Sequence, residues 1–289
     1  MKLKAAGFII IVFLLSVPLY AREVTILGGI DNSSFSPFQH SRVGTEFKPS
    51  LAPFAKLRIF SEFDGPYNGV FSYSINYDYD PMFRSVISGR TAYNFGHLFL
   101  GFGVFIGFDD FAIKAVDVGF SGHFGFFYPD AWFLALSAGS SVLGQVYGDE
   151  NVSRLLIGAQ FGFWLPHIFS IFEFTYKDYA EQSNANLKVE TTRMRFQLRS
   201  ETYSKNVPYR IVLMAGYQIL TRTTTDGGYR EEPQIKPVLV GGGFNIELSK
   251  TVRWHIEAEI PIDLEKFADT GYLYKFWTGF TYTSRRQGL

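Results

Sequence analysis

The chain contains no cysteine, which excludes a disulfide framework, a thiol nucleophile and a lipid-bearing cysteine anchor. Neither sign of charge is in excess, with 27 Lys and Arg against 27 Asp and Glu. That balance leaves no basic footprint for nucleic acid. Past the first two dozen residues, no apolar run approaches the length of a membrane-spanning helix. Linkers, low-complexity stretches, charge blocks and internal repeats are also missing, so the chain reads as one domain.

What is present begins with a leader. Lys2 and Lys4 form a basic start, Ala5 to Leu15 an apolar core, and Val17-Pro18-Leu19-Tyr20-Ala21 ends on a small residue. Residues 1–21 therefore read as a cleavable signal peptide, with an uncleaved N-terminal anchor as the alternative and the exact cut blurred by Leu19. The mature chain would run from Arg22 to Leu289 with 25 basic and 27 acidic residues, a net charge of −2. Export without disulfides suits a bacterial envelope protein. Aromatic residues make up 18% of the sequence, including 31 Phe and 17 Tyr, more than a small soluble domain readily buries.

The dominant pattern has a period of two. In Val70-Phe71-Ser72-Tyr73-Ser74-Ile75-Asn76-Tyr77-Asp78-Tyr79, large apolar side chains alternate with small, polar or charged ones. This is a β-strand with one greasy and one wet face. Repetition of the beat predicts fourteen strands, over 23–31, 51–63, 69–79, 83–95, 98–108, 112–127, 131–146, 153–165, 168–179, 188–202, 209–223, 235–248, 252–262 and 272–283. Connections from even to odd strands are short turns, such as Gly96-His97, Tyr128-Pro129-Asp130, Pro166-His167 and Ser249-Lys250-Thr251. The odd-to-even connections include the long ones, 32–50, 180–187, 226–234 and 263–271, although those at 80–82 and 109–111 are short. Aromatics gather at strand ends. Tyr93, Phe95, Phe126, Tyr128, Trp132, Trp164, Tyr203, Tyr209, Trp254 and Tyr282 fall at one end, and Tyr77, Tyr79, Tyr176, Tyr179, Tyr272 and Tyr274 at the other. Strand propensity accounts for their presence in strands, and interfacial belts account for their position.

Together these residues resemble the bacterial outer-membrane β-barrel superfamily across essentially the whole mature chain. In size and strand count the chain is most similar to the monomeric fourteen-stranded porin type. The resemblance implies an all-β, transmembrane antiparallel barrel with short periplasmic turns, longer extracellular loops and both termini in the periplasm. It also implies the lipid bilayer, the barrel-assembly machinery and periplasmic chaperones as partners. The chain departs from the pattern at its end, where Thr283 to Leu289 follow the last aromatic strand. If fewer strands form, ten- or twelve-stranded relatives become the comparison.

Apolar faces such as Leu155-Ile157-Ala159-Phe161-Phe163, Ile211-Leu213-Ala215-Tyr217-Ile219 and Val252-Trp254-Ile256-Ala258-Ile260 are expected to meet lipid. The opposite phase carries the charges. Lys56, Arg58, Arg90, Asp117, Arg154, Glu173, Arg193, Arg195, Arg199, Arg210, Glu247, His255, Glu257 and Glu259 are the expected pore-lining residues, together with Glu62 and Arg253. Strands ten and eleven would form a basic sector and strands twelve and thirteen an acidic one, with water between. The ladder of Arg193, Arg195 and Arg199 reads equally as struts or as contacts for permeating anions. Gly101, Gly103, Gly119, Ser121, Gly139, Gly158, Gly162, Gly216, Gly241 and Gly243 face inward, either leaving bore or easing curvature. The loop 32–50, with Phe35, Phe38, His40, Arg42 and Phe47, is free to fold inward or stand outside.

No enzyme constellation emerges. His97 and His167 fall in turns. Barrel phospholipases and deacylases carry His-x-Ser, and here Gly125 stands two residues after His123. His255 and Glu257 share a face but lack a nucleophile, and read as a hydrogen-bonding pair. Neither metal-ligand spacing nor a nucleotide fingerprint occurs, so no cofactor is expected. The sequence thus supports a channel for passive diffusion of small hydrophilic solutes. The alternatives are a transporter of hydrophobic compounds, with Phe99, Phe105, Phe133 and Phe169 along its path, and a plugged, adhesin-like interaction barrel.

Overall fold

The computed structural model describes residues 22–33, 51–64, 69–108, 116–144, 151–182, 187–204, 207–263 and 273–284. The expected leader, the loop residues 34–50, Tyr272 and the tail 285–289 lie outside them. Fourteen strands build the wall: β1 (Glu23–Asp31), β2 (Ala52–Asp64), β3 (Val70–Asp80), β4 (Arg84–Phe95), β5 (Leu98–Phe108), β6 (Val116–Tyr128), β7 (Trp132–Gly144), β8 (Asn151–Leu165), β9 (Ile168–Gln182), β10 (Leu187–Thr202), β11 (Tyr209–Asp226), β12 (Val238–Glu247), β13 (Val252–Ile262) and β14 (Lys275–Thr283). Each pairs antiparallel with its sequence neighbours, and β1 pairs with β14, so the sheet closes without an edge. Among the described residues no helix is long and apolar enough to cross a membrane.

Alternation fixes which side chains face out. The exterior presents Ile26, Phe102, Leu213, Phe244 and Ile260, each more than half exposed. Water would not tolerate so continuous an apolar wall, whereas hydrocarbon would. The expected faces on β8, β11 and β13 are all in this outward phase. Trp132 and Trp254 belong to it too, near the end that holds the termini.

At that near end the chain makes tight turns, including Gly96-His97, 129–131, Pro166-His167 and 248–251. Gly96 (φ 67°) and Asp130 (φ 56°) take left-handed conformations there, as hairpin turns require. The Ser284 amide donates to the Arg22 carbonyl at 2.9 Å, tying the two described chain ends together.

Among the described residues, the far end differs from expectation in two places. The expected strand 235–248 is broken. β11 instead runs on to Asp226 and turns through Gly227 and Gly228, both with positive φ, into a short strand Tyr229–Glu231. Gln234–Ile235 then pairs back on β11 before β12 begins at Val238. Pro233 and Pro237, which lack an amide donor, punctuate the run. The second difference is the β3–β4 turn, Pro81-Met82-Phe83, expected outside. Met82 and Phe83 are buried, at 5% and 3% exposure, and pack with Val152, Tyr179, Leu220 and Ile235. Those partners come from β8, β9, β11 and the segment before β12, so the turn has folded into the lumen. A short connection made of Pro, Met and Phe buries apolar surface inward that it would expose outside.

Candidate functional site

The interior phase is identified by contacts that cross the barrel. Arg193 on β10 and Asp80 on β3 are seven strands apart in a ring of fourteen, on opposite walls, yet Arg193 Nη2 donates to Asp80 Oδ2 at 2.9 Å. Side chains fill a barrel of about eight strands. In fourteen, opposite walls meet here because the β3–β4 backbone bends inward. The pairing registers carry this phase round the wall, and every charged position singled out in the sequence lies on the interior face.

Their environments separate into four groups. The first is a bar across the far end. Asp80 accepts from Arg193, lies 3.8 Å from Lys177 Nζ, and accepts the Met82 amide at 3.0 Å. The Phe83 ring is clasped by Lys177 (5.4 Å to the centroid) and Arg193 (5.1 Å), in cation–π contact. Arg84, left-handed at φ 62°, pairs with Glu181 at 3.4 Å. Beside the bar, Arg154 pairs with Asp117, lies over the Tyr179 ring and donates to the Phe83 and Phe108 carbonyls at 3.4 and 3.2 Å. Ser141 Oγ donates to Asp117 Oδ2 at 2.6 Å.

The second group is a strut system on β10–β13. Arg195 forms a two-pronged pair with Glu259, which also accepts Gln197 Nε2 at 3.1 Å. Arg199 does the same with Glu257, one bond being 2.7 Å. Both pairs reach over β11 and β12, where Gly216, Gly241 and Gly243 keep the wall low. The expected basic and acidic sectors therefore do not face each other across water. They neutralise each other at contact, leaving Glu257 and Glu259 3% and 1% exposed.

The third group sits at the near mouth. Arg210 donates to Glu247 (2.8 Å) and Glu201 (3.4 Å), Arg253 approaches Glu247 at 3.7 Å, and Arg22 pairs with Glu62. His255 bonds to Asn245 Oδ1 (2.7 Å) and Thr281 Oγ1 (2.8 Å), so the expected His255–Glu257 bond is not made. Trp164 faces this mouth from inside, 4.6 Å from the Phe169 ring, and Tyr179 is buried in the bar. Neither joins an external belt as the sequence suggested, because strand-end position does not reveal phase.

The fourth group lines open space. A cavity of about 470 Å³ lies against β2–β9 beneath the bar, lined by Lys56, Arg58, Asn76, Asp78, Arg90, His123 and Lys177 among others. A second, about 370 Å³, continues toward the near end past Glu62, Ser72, Gln160 and Glu173, sharing Arg90, His123 and Ser137 with the first. Gln160 donates to Glu173 at 2.8 Å, and Ser121 Oγ lies 3.0 Å from His123 Nε2. Part of the space expected from small inward residues is taken up by rings. Phe105 lies over Gly119, Phe99 over Gly125 and Phe133 over Gly162, each where a Cβ would sit. Phe99, Phe105 and Phe133 thus fill slots in the wall.

The sequence did not single out Asp80, Met82, Phe83, Arg84, Lys177 or Glu181. Lys177 and Glu181 share the inward phase of Glu173, a legible signal. The inward turn of Met82 and Phe83 was signalled only by apolar residues in a short far-end connection. Among the described residues there is no group of His, Cys, Asp and Glu able to hold a metal ion.

No family model matches the chain, and no curated protein matches it. Solved structures do. An anion-selective porin from Comamonas acidovorans aligns at TM-score 0.45 and 8% identity, over 91% of this chain and 98% of that one. An outer membrane channel from Pseudomonas putida F1 aligns at TM-score 0.48 and 8% identity, over 92% and 96%. The β domain of the Bordetella autotransporter BrkA aligns at TM-score 0.44 and 12% identity, over 92% and 100%.

Proposed function

We propose that the protein is a bacterial outer-membrane channel for small hydrophilic solutes, with its far end narrowed by the β3–β4 bar. The carrying observation is a cavity lined by charged residues inside a closed wall whose exterior is apolar. A lumen of that kind excludes solutes by size and sorts them by charge. The near end, with its tight turns and both described termini, would face the periplasm, and the far-end loops the outside. Insertion would depend on the barrel-assembly machinery and periplasmic chaperones. Ser121 Oγ and His123 Nε2 lie within hydrogen-bond distance in this lumen; the reading assigns the pair to the cavity lining and carries no enzymatic step.

Phe99, Phe105 and Phe133 pack into glycine slots and Phe169 against Trp164, which supports the channel over a carrier of hydrophobic compounds, although Phe99 and Phe105 still line the two cavities. The bar favours a second reading, a plugged barrel that presents its far-end loops to a partner. Proteoliposome swelling with neutral sugars separates the two. Swelling supports the channel. No swelling by the wild type or by a Met82→Gly/Phe83→Gly variant supports the plugged interaction barrel.

A further inference from the structure

The cations of the larger cavity are unequally matched. Lys56 and Lys177 share Asp78, at 4.0 and 3.8 Å, and Lys177 also faces Asp80. Arg84 has Glu181 and Arg154 has Asp117. Arg58 and Arg90 have no carboxylate within ion-pair distance among the described residues. Arg90 Nε donates to Ser74 Oγ at 2.7 Å, and Arg58 lies 5.7 Å from the Phe60 ring centroid. Arg58 Nε is enclosed and without a hydrogen-bond partner.

The two arginines flank β3 from either side. Arg58 pairs in register with Asn76, and Arg90 with Ser74. Strand spacing sets β2 and β4 roughly 10 Å apart, so the two guanidinium groups overhang one small polar patch. Like charges placed together in a partly enclosed space repel, unless water or an anion compensates them. A guanidinium fork matches a carboxylate better than it matches a spherical ion. The surrounding wall offers uncharged hydrogen-bonding groups in Asn76, Ser88, Ser121, Gln160 and Thr175, with His123 beside Ser121. The Asn76 amide makes only long bonds, 3.4 and 3.5 Å, to Ser74 and Ser88, leaving it free to reorient. A volume of about 470 Å³ falls in the range of small-molecule sites.

Deepening the channel reading, we infer that Arg58 and Arg90 form a binding site for a small hydroxylated organic acid. The guanidinium groups hold its carboxylate, and the amide and hydroxyl groups hold its hydroxyls. The site stands beneath the bar, where a solute would pause before the narrowest part of the lumen.

The test is equilibrium binding by calorimetry to the mature chain refolded in detergent, with gluconate, sorbitol and inorganic phosphate as probes. Saturable gluconate binding, with no sorbitol binding and weaker phosphate binding, is the expected result. Arg58→Gln and Arg90→Gln should each weaken gluconate by roughly tenfold or more, as expected for loss of a charge-assisted bond. Sorbitol bound as well as gluconate, phosphate bound at least as tightly, or no gluconate binding by heat-modifiable, strand-rich protein would each overturn the site. The probe comparison uses the wild type alone, so it survives any folding defect in the variants. Binding in detergent needs no conduction, so failure here is distinct from failure of the channel.

Discussion

Glu259 is 1% exposed, and its carboxylate is held by Arg195 and Gln197. Truncating Arg195 alone strands that charge, and a stranded buried charge costs about 3–5 kcal/mol. Arg195→Met is therefore expected to lower stability by about that amount, while Arg195→Met/Glu259→Met recovers most of it. Urea unfolding in detergent followed by circular dichroism checks this, and equal losses in single and double variants would remove the strut role. The glycine slots give a second prediction. Gly119→Ala drives a methyl into the Phe105 ring, itself only 2% exposed, and overpacking of this kind costs about 1–3 kcal/mol. Gly89→Ala, with nothing within 4 Å, should be near neutral in the same titration. At this scale the sequence revealed phase but not partner. Alternation placed Arg195, Arg199, Glu257 and Glu259 inside. That they meet over β11 and β12 depends on how low Gly216, Gly241 and Gly243 leave the wall, which periodicity does not encode.

The bar is where an element departs from its expected role. Pro81-Met82-Phe83 has the length of a hairpin turn but the side chains of a core, and the Asp80, Arg193 and Lys177 charges fasten it across the lumen. Arg84 holds a left-handed backbone, a conformation that disfavours non-glycine residues by about 1–2 kcal/mol. Its pairing with Glu181 and the burial of Phe83 offset that strain. Met82→Gly/Phe83→Gly removes the apolar filling and should raise single-channel conductance by roughly twofold or more, as expected when a constriction widens. An unchanged conductance in planar bilayers would mean that solutes pass elsewhere. Strand existence, order and most boundaries were legible, because each strand carries the period of two and each near-end turn its turn residues. The broken stretch from Tyr229 to Pro237 was not. Its apolar Ile235 fits strand alternation, but it is buried against Leu220 and the bar.

For the whole molecule, net charge says little, because most lumen charges cancel in pairs. The account assigns ion discrimination to the unpaired Arg58 and Arg90. Arg58→Gln/Arg90→Gln should move the reversal potential in a salt gradient toward cations, while Arg195→Gln/Glu259→Gln leaves it nearly unchanged. A shift from the second pair and none from the first would reverse that assignment. The apolar exterior and the inside placement of the charges followed from alternation, and closure from the resemblance to outer-membrane barrels. Filling of one side of the lumen by struts, with space left along β2–β9, did not, since it depends on contacts between strands far apart in sequence. The most direct measurement is the current through single molecules of the refolded mature chain in a planar bilayer under a salt gradient, with the Met82→Gly/Phe83→Gly variant alongside. The account predicts small, stepwise, anion-preferring openings for the wild type and larger ones for the variant. Silence from both, with the folded barrel confirmed by heat-modifiable migration, would contradict it.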